Sequence, residues 1–264
     1  MTPEDVAAAS AAWLWFPDDA TVYSTEELLL VGWPPSFGTP PTVLHLAAAD
    51  EDDVDRLLVD ADARARSWGY DALDVRVPLG APDALRETLE DLDGAVVETV
   101  DVHALDLAAG SPELDVPADV EVRWQLDEQT TRDHLTVSVA AFGEGGLPDN
   151  ERIRELAADA ALAHGEGLGA AAVAYLDGRP IGTGGLTLAE GEAGRVALLW
   201  GAGVVPDARG RGGYRAVLAA RLQYAVAHDA AFALVKGRVE TAAPILRRAG
   251  FTAYGREQTY RLSL

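Results

Sequence analysis

The stretch from Arg195 to Val226 constrains this chain more than any other. Its apolar run RVALLWGAGVV reads as a buried strand, because strands covered on both faces lose the polar alternation of half-exposed ones. Pro206 cannot donate to a ladder and ends the strand, and Asp207 and Ala208 turn the chain. Past the turn, Tyr214, Val217, Leu218, Leu222, Ala225 and Val226 keep the i, i+3, i+4 spacing of a helix with one apolar face. Between the two elements lies ARGRGG, residues 208–213. At a helix entrance the first N–H groups have no intrahelical acceptor and the helix dipole is positive, so such a loop receives an anion. Glycines let the backbone come close to phosphate oxygens, and arginines supply charge-assisted, bidentate donors. Several consecutive N–H groups and two arginines suit pyrophosphate better than a lone phosphate.

Elements of the same kind fill the rest of the second half. DVEVRWQ reads as a strand, residues 127–142 and 148–164 as helices, and AAAVAYLDGRPIGTGGLTLAE as two strands about an Asp177-Gly178 turn. After the helix come a strand in AFALVKG, a short helix in TAAPILRRAG ended by Gly250, and closing strands in FTAYGREQTYRLSL. The first half repeats the later part of this order. TVLHLAAA, a helix over 50–68 with Val54, Leu57, Leu58, Ala61 and Ala65 on one face, ALDVRV, PDALRETLEDL and GAVVETVDVHALDL alternate strand and helix. Two copies of one architecture follow, of α+β (mixed α/β) class. Gly110, Ser111, Pro112 and Pro117 mark residues 111–117 as a linker between domains 1–110 and 118–264.

Composition narrows the function classes. Residues 1–117 hold 25 acidic and 5 basic residues, against 18 and 16 in 118–264, so the net charge of -22 belongs to the first half. A basic footprint for nucleic acid is absent. There is no cysteine, which removes thiolate nucleophiles, disulfides and Cys-ligated zinc. His45, His103, His134, His164 and His228 are scattered, without an HxxxH or HxH pair, so no metal is expected, and each reads as a surface or satisfied core histidine. No run of about 18 apolar residues is present, and acids stand where a signal peptide has its basic region. The expectation is a cytoplasmic protein with no membrane partner. The sequence carries no code for oligomeric state, and a homodimer is compatible with it.

Two known anion loops fit poorly. A G-x-G-x-x-G pattern from Gly210 would need a small residue where Arg215 stands, and the Gly-Lys-Ser/Thr ending of a P-loop is absent. VVPDARGRGGYRAVL instead resembles the acetyl-CoA-binding motif of the GNAT acyltransferase superfamily, P-x-x-(Q/R)-G-x-G-x-(G/A). TAAPILRRAGF resembles that family's downstream segment, with Ala242, Gly250 and Phe251 in place. The resemblance implies two GNAT-like domains, each a mixed, mostly antiparallel splayed sheet flanked by helices. It implies acetyl-CoA as co-substrate, with pantetheine in a splay between strands ending near Val205 and Lys236. Gly203, Val204, Val205, Arg209, Gly210, Arg211, Gly212, Gly213 and Tyr214 are then the binding residues. The thioester carbonyl would meet N–H groups around Gly203 and Val204, and the amine would attack directly.

The sequence departs from the family at its proton-transfer positions. Leu246 replaces the usual tyrosine acid, Leu198 the usual glutamate base, and Val239 a common asparagine. Glu240 is the nearest replacement base, with Thr241 beside it reading as a helix N-cap and Tyr254 and Tyr260 as packing residues. Tyr214, where the family has Gly or Ala, is either a packing residue of the helix or a wall of the CoA site. In the first copy the loop position reads AAADEDD, residues 47–53, whose acids would repel pyrophosphate. The expected activity is N-acylation of a small, cationic amine. A CoA-binding sensor or interaction protein without catalysis, and a protein N-acetyltransferase, are the alternatives.

Overall fold

The computed structural model describes residues 1–264 except 49, 144–145 and 239–242. The chain runs through α1 (Pro3–Ala12), β1 (Thr21–Ser24), β2 (Leu28–Gly32), β3 (Thr42–Leu46), α2 (Glu51–Ser67), β4 (Ala72–Val77), α3 (Asp83–Asp91) and β5 (Ala95–Asp106). It continues through β6 (Val120–Trp124), α4 (Glu128–Phe142), α5 (Asn150–Gly165), β7 (Ala171–Leu176), β8 (Arg179–Gly191), β9 (Gly194–Val204), α6 (Gly213–Ala227), β10 (Phe232–Arg238), α7 (Ala243–Arg248) and β11 (Thr252–Ser263). From β3 onward the elements lie where the sequence puts them, except that FTAYGREQTYRLSL forms one long strand, β11, in place of several. Among the described residues, no helix is long and apolar enough to cross a membrane.

The chain divides into two compact units, one chiefly Val6–Val102 with Tyr254–Leu264, the other chiefly His103–Lys236 with Pro244–Ala253. This differs from the reading of 1–110 and 118–264 as domains joined at 111–117: the division falls inside β5, and most of the final strand, Tyr254–Leu264, groups with Val6–Val102. The reason is visible in the first unit, whose strands run β1-β2-β3-β4-β11. Along β11, Tyr260 and Leu262 oppose Val75 and Leu73 of β4, and all four are buried with Leu57, Leu58 and Ala61 of α2. On the other face, Arg261 forks onto Asp74 at 2.7 and 2.8 Å. Buried Glu257 accepts from Arg76 at 2.7 Å and from Ser10 at 2.6 Å. A strand that supplies both core side chains and charge partners to this sheet belongs to it energetically, since each fully buried large apolar side chain contributes about 1.5 to 3 kcal/mol.

In the second unit the strands run β10-β9-β8-β7-β6, with β9 and β10 parallel and the other pairs antiparallel. The Asp177-Gly178 turn between β7 and β8 has φ of +51° and +76°, the left-handed pair that a tight hairpin needs. Helices cover both faces. A Cβ at Gly184 of β8 would meet Arg221 of α6 at 3.1 Å, whereas Thr183 beside it touches His134 of α4. The apolar stripe of α6, with Val217, Leu218, Leu222 and Ala225, is fully buried.

Candidate functional site

The parallel ladder of β9 and β10 ends at Leu199 opposite Val235, yet β9 runs on to Val204. From Trp200 onward, the β9 edge that β10 would fill has no strand partner among the described residues. Backbone N–H groups on that edge are therefore free for a ligand. A bulge sits at the same point. Trp200 pairs with Gly185 and Gly203 with Thr183, so two β9 residues, Gly201 and Ala202, oppose the single Gly184. Gly201 has φ of +58°, which glycine adopts without strain. Gly185 and Gly203 are glycines for contact reasons: a Cβ would lie 2.2 Å from the Trp200 ring at the first and 2.7 Å from Ala141 of α4 at the second.

Beyond β9, Val205 donates its N–H to Ile181 O at 2.9 Å, so this N–H is not free for a ligand. Pro206–Ala208 then form a single 3-10 turn. Gly210 and Gly212 take φ of +80° and +89°, and Gly212 is the N-cap of α6 without a side-chain cap. The N–H groups of Gly210, Gly212, Gly213, Tyr214 and Arg215 have no acceptor among the described residues. Arg209 and Arg211 are exposed at the same mouth, while Arg215 turns to Asp115 at 3.3 Å and Arg179 to Asp207 at 2.8 Å. The segment 111–117 takes part in this site: a Cβ on Gly212 would lie 2.5 Å from Cγ and Cδ of Pro117. The structure thus joins Gly203, Val204, Arg209, Gly210, Arg211, Gly212, Gly213 and Tyr214 along one path from the splay to the helix. Glu240, with Val239, Thr241 and Ala242, lies outside the described residues.

Sequence reasoning missed the side chains that support the bulge. Arg221 is 1% exposed and reaches inward, donating to Gly185 O at 3.0 Å, Trp200 O at 3.5 Å and Val217 O at 3.4 Å. Its guanidinium neighbours the half-buried Tyr214, whose hydroxyl pKa burial raises. On the opposite face, His134 Nδ1 lies 2.7 Å from Thr183 Oγ1, and Trp200 stands edge-on to the imidazole with ring centroids 6.4 Å apart. Leu198 and Leu246, at the positions discussed above for a base and an acid, are buried at 7% and 0% exposure and offer no proton-transfer group.

The equivalent place in the first unit is built otherwise. Asp50 caps α2 by accepting from Asp53 N–H at 3.0 Å, and Glu51, Asp52 and Asp53 crowd its first turn. Asp53 also pairs with Arg56 at 3.0 Å.

Residues 136–251 match the family model described as the acetyltransferase (GNAT) family. The fold is similar to that of a GCN5-related N-acetyltransferase from Kribbella flavida, at 15% identity and TM-score 0.70, over 99% of this chain and 95% of that one. It is also similar to a tandem GNAT protein from the clavulanic acid biosynthesis pathway, without acetyl-CoA, at 16% identity and TM-score 0.67, over 99% and 93%. A third, a GCN5-related N-acetyltransferase from Sphaerobacter thermophilus, has 17% identity and TM-score 0.65, over 100% and 94%. These identities carry the fold alone. No curated protein matches the chain significantly.

Proposed function

We propose that the GNAT acetyltransferase domain formed by residues 136–251 transfers an acetyl group from acetyl-CoA to the amine of a small, cationic molecule. The observation that carries this reading is the set of N–H groups at Gly210, Gly212, Gly213, Tyr214 and Arg215, which have no acceptor among the described residues. It opens at the N-terminus of a helix beside two exposed arginines and directly after the splayed end of β9. Pyrophosphate takes these donors, and pantetheine follows the unpaired β9 edge. The thioester carbonyl meets N–H groups near Gly203 and Val204, where one backbone donor to the developing oxyanion is worth roughly 3 kcal/mol. The amine attacks directly, in keeping with a chain that has no cysteine to hold an acyl group.

Two further points belong to this proposal. The acidic cap of α2 leaves the first unit without an acyl-CoA site, so one CoA binds per chain. The excess negative charge of residues 1–117 favours a cationic acceptor through its field. A CoA-binding sensor without catalysis is the second reading, supported by the buried Leu198 and Leu246. Incubation with acetyl-CoA and benzylamine, tyramine or spermidine, with CoA thiol release and thermal shift followed in parallel, separates the two. Release with at least one amine supports the transferase. Stabilisation by CoA without release favours the sensor, and no stabilisation refutes both.

A further inference from the structure

The transferase reading leaves one chemical role open, since the attacking nitrogen must lose a proton and the positions discussed for a base and an acid hold leucines. We infer that His134 takes that proton through Nε2. This inference rests on the acyl-transfer reading and supplies its missing group.

The tautomer is assigned from two heavy-atom contacts. Thr183 Oγ1, 1% exposed, donates its only proton to Ala172 O at 3.0 Å. With that proton on Ala172 O, Thr183 accepts at the 2.7 Å contact with His134, and we assign the imidazole proton to Nδ1 and the lone pair to Nε2 on this geometry. Nε2 has no hydrogen-bond partner among the described residues, and it is not one of the sealed, partnerless polar atoms that the core contains, such as His164 Nε2. Thr183 pairs with Gly203, and Trp200, edge-on to the imidazole, opens the bulge. His134 therefore stands over β8 across from the bulge at residues 200–203, beside Gly203, near which the proposed function puts the thioester carbonyl.

Its surroundings keep it neutral. Asp133, the preceding residue of α4, accepts from Tyr175 Oη of β7 at 2.8 Å, with Arg123 of β6 over the Tyr175 ring. Arg132 donates to Asn150 of α5 at 3.0 Å. Thr183 of β8 and Trp200 of β9 carry no charge. Burial, with no charged group acting on it, pushes the His134 pKa down to about 4.

In the step, the amine lone pair forms the C–N bond while the carbonyl π electrons move to oxygen. The proton on the now positive nitrogen passes to Nε2. The oxyanion then collapses, the C–S bond breaks with its electrons on sulfur, and the imidazolium returns its proton to the thiolate. No further reactant is needed.

The test uses H134A and H134N in the full chain with the fastest of benzylamine, tyramine and spermidine. Asn keeps a donor for Thr183 but has no basic nitrogen. Both variants are expected to lose about 100-fold or more in kcat, as removal of a general base does. The KM for acetyl-CoA should stay within threefold, and added imidazole should restore part of the H134A rate. H134N with kcat within threefold of the parent protein would overturn the inference, leaving His134 a packing residue tied to Thr183. An H134A loss that imidazole leaves untouched while H134N is active would overturn it in the same way. Turnover of none of the three amines by the parent protein would refute the transferase reading, and the base with it. Turnover unaffected by either variant would refute the base alone.

Discussion

Gly210 and Gly212 give a controlled perturbation of the anion loop. Both have left-handed φ, +80° and +89°, but a Cβ at Gly210 meets nothing within 4 Å, whereas at Gly212 it lies 2.5 Å from Cγ and Cδ of Pro117. Gly210→Ala therefore isolates backbone strain, about 1 to 2 kcal/mol for an L-residue in that region. At roughly 2 to 4 °C per kcal/mol for a chain of this size, its melting temperature should fall by a few degrees. Gly212→Ala adds a contact that must open to the ordinary carbon separation of about 3.5 Å, a shift of roughly 1 Å. The pyrrolidine ring cannot rotate aside, so the loop moves. A displacement of 1 Å takes an N–H···O bond out of range, and two charge-assisted bonds at about 1.5 to 3 kcal/mol each correspond to at least a 100-fold loss of affinity. Calorimetric titration with CoA should then show Gly210→Ala near the parent Kd and Gly212→Ala about 100-fold weaker. Pro117→Ala removes Cγ and Cδ, so the double variant should recover most of that affinity while keeping the loss of melting temperature. Gly212→Ala with a Kd within threefold of Gly210→Ala, or a double variant with no recovery, would show that the loop does not hold CoA as argued.

The remaining expectations are of three kinds. Charge reversal at both exposed arginines, Arg209→Glu with Arg211→Glu, should weaken CoA at least 100-fold with the melting temperature within 2 °C, and an unchanged Kd would exclude them as ligands. His134 has a folded pKa of about 4 against 6.5 for an unperturbed histidine, so between these values the unfolded chain binds the extra proton. Stability falls as pH drops through 6.5, by about 2 to 3 kcal/mol at pH 4.5 from this group. Urea unfolding at pH 7 and 4.5 should show H134N losing less stability on acidification than the parent protein, and equal losses would mean His134 is not buried in its neutral form. Lastly, Asp50→Asn, Asp52→Asn and Asp53→Asn together should leave CoA stoichiometry at one per chain by calorimetry, and a value of two would refute the reading of the first unit.

What the sequence made legible is local, and what it hid depends on distant partners. The glycine loop between β9 and α6 could be read because its strand end, glycines and helix start are consecutive. α1 and β1 left no signal: α1 buries only Val6 and Ser10, and β1 is four mostly exposed residues. The placement of β11 turns on Glu257 with Arg76 and Arg261 with Asp74, pairs more than 180 positions apart. Gly212 looked like phosphate-loop chemistry alone, but Pro117 also requires it to be glycine. Arg221, one of four arginines near the loop in sequence, faces the sheet and holds carbonyls of the bulge. His134 read as inert because its tautomer is set by Thr183, 49 positions away.

The two halves show how little backbone change separates an open helix N-terminus from a capped one. In each, a strand feeds a helix through a short turn, and in each the first N–H groups of the helix need acceptors. At α2 the chain supplies its own anion, with the Asp50 carboxylate on Asp53 N–H and three more acids against the positive end of the dipole. At α6 it supplies none: Gly212 has no side chain to cap with, and the first turn has no acid. An N-terminus closed by its own carboxylates gains about 1 kcal/mol of helix stability without any ligand. One left open forgoes that gain, and its donors stay solvated until an anion arrives. The open helix end forgoes that stability, and this contrast, more than the glycine pattern by itself, is the argument for proposing the CoA site in the second half of the chain.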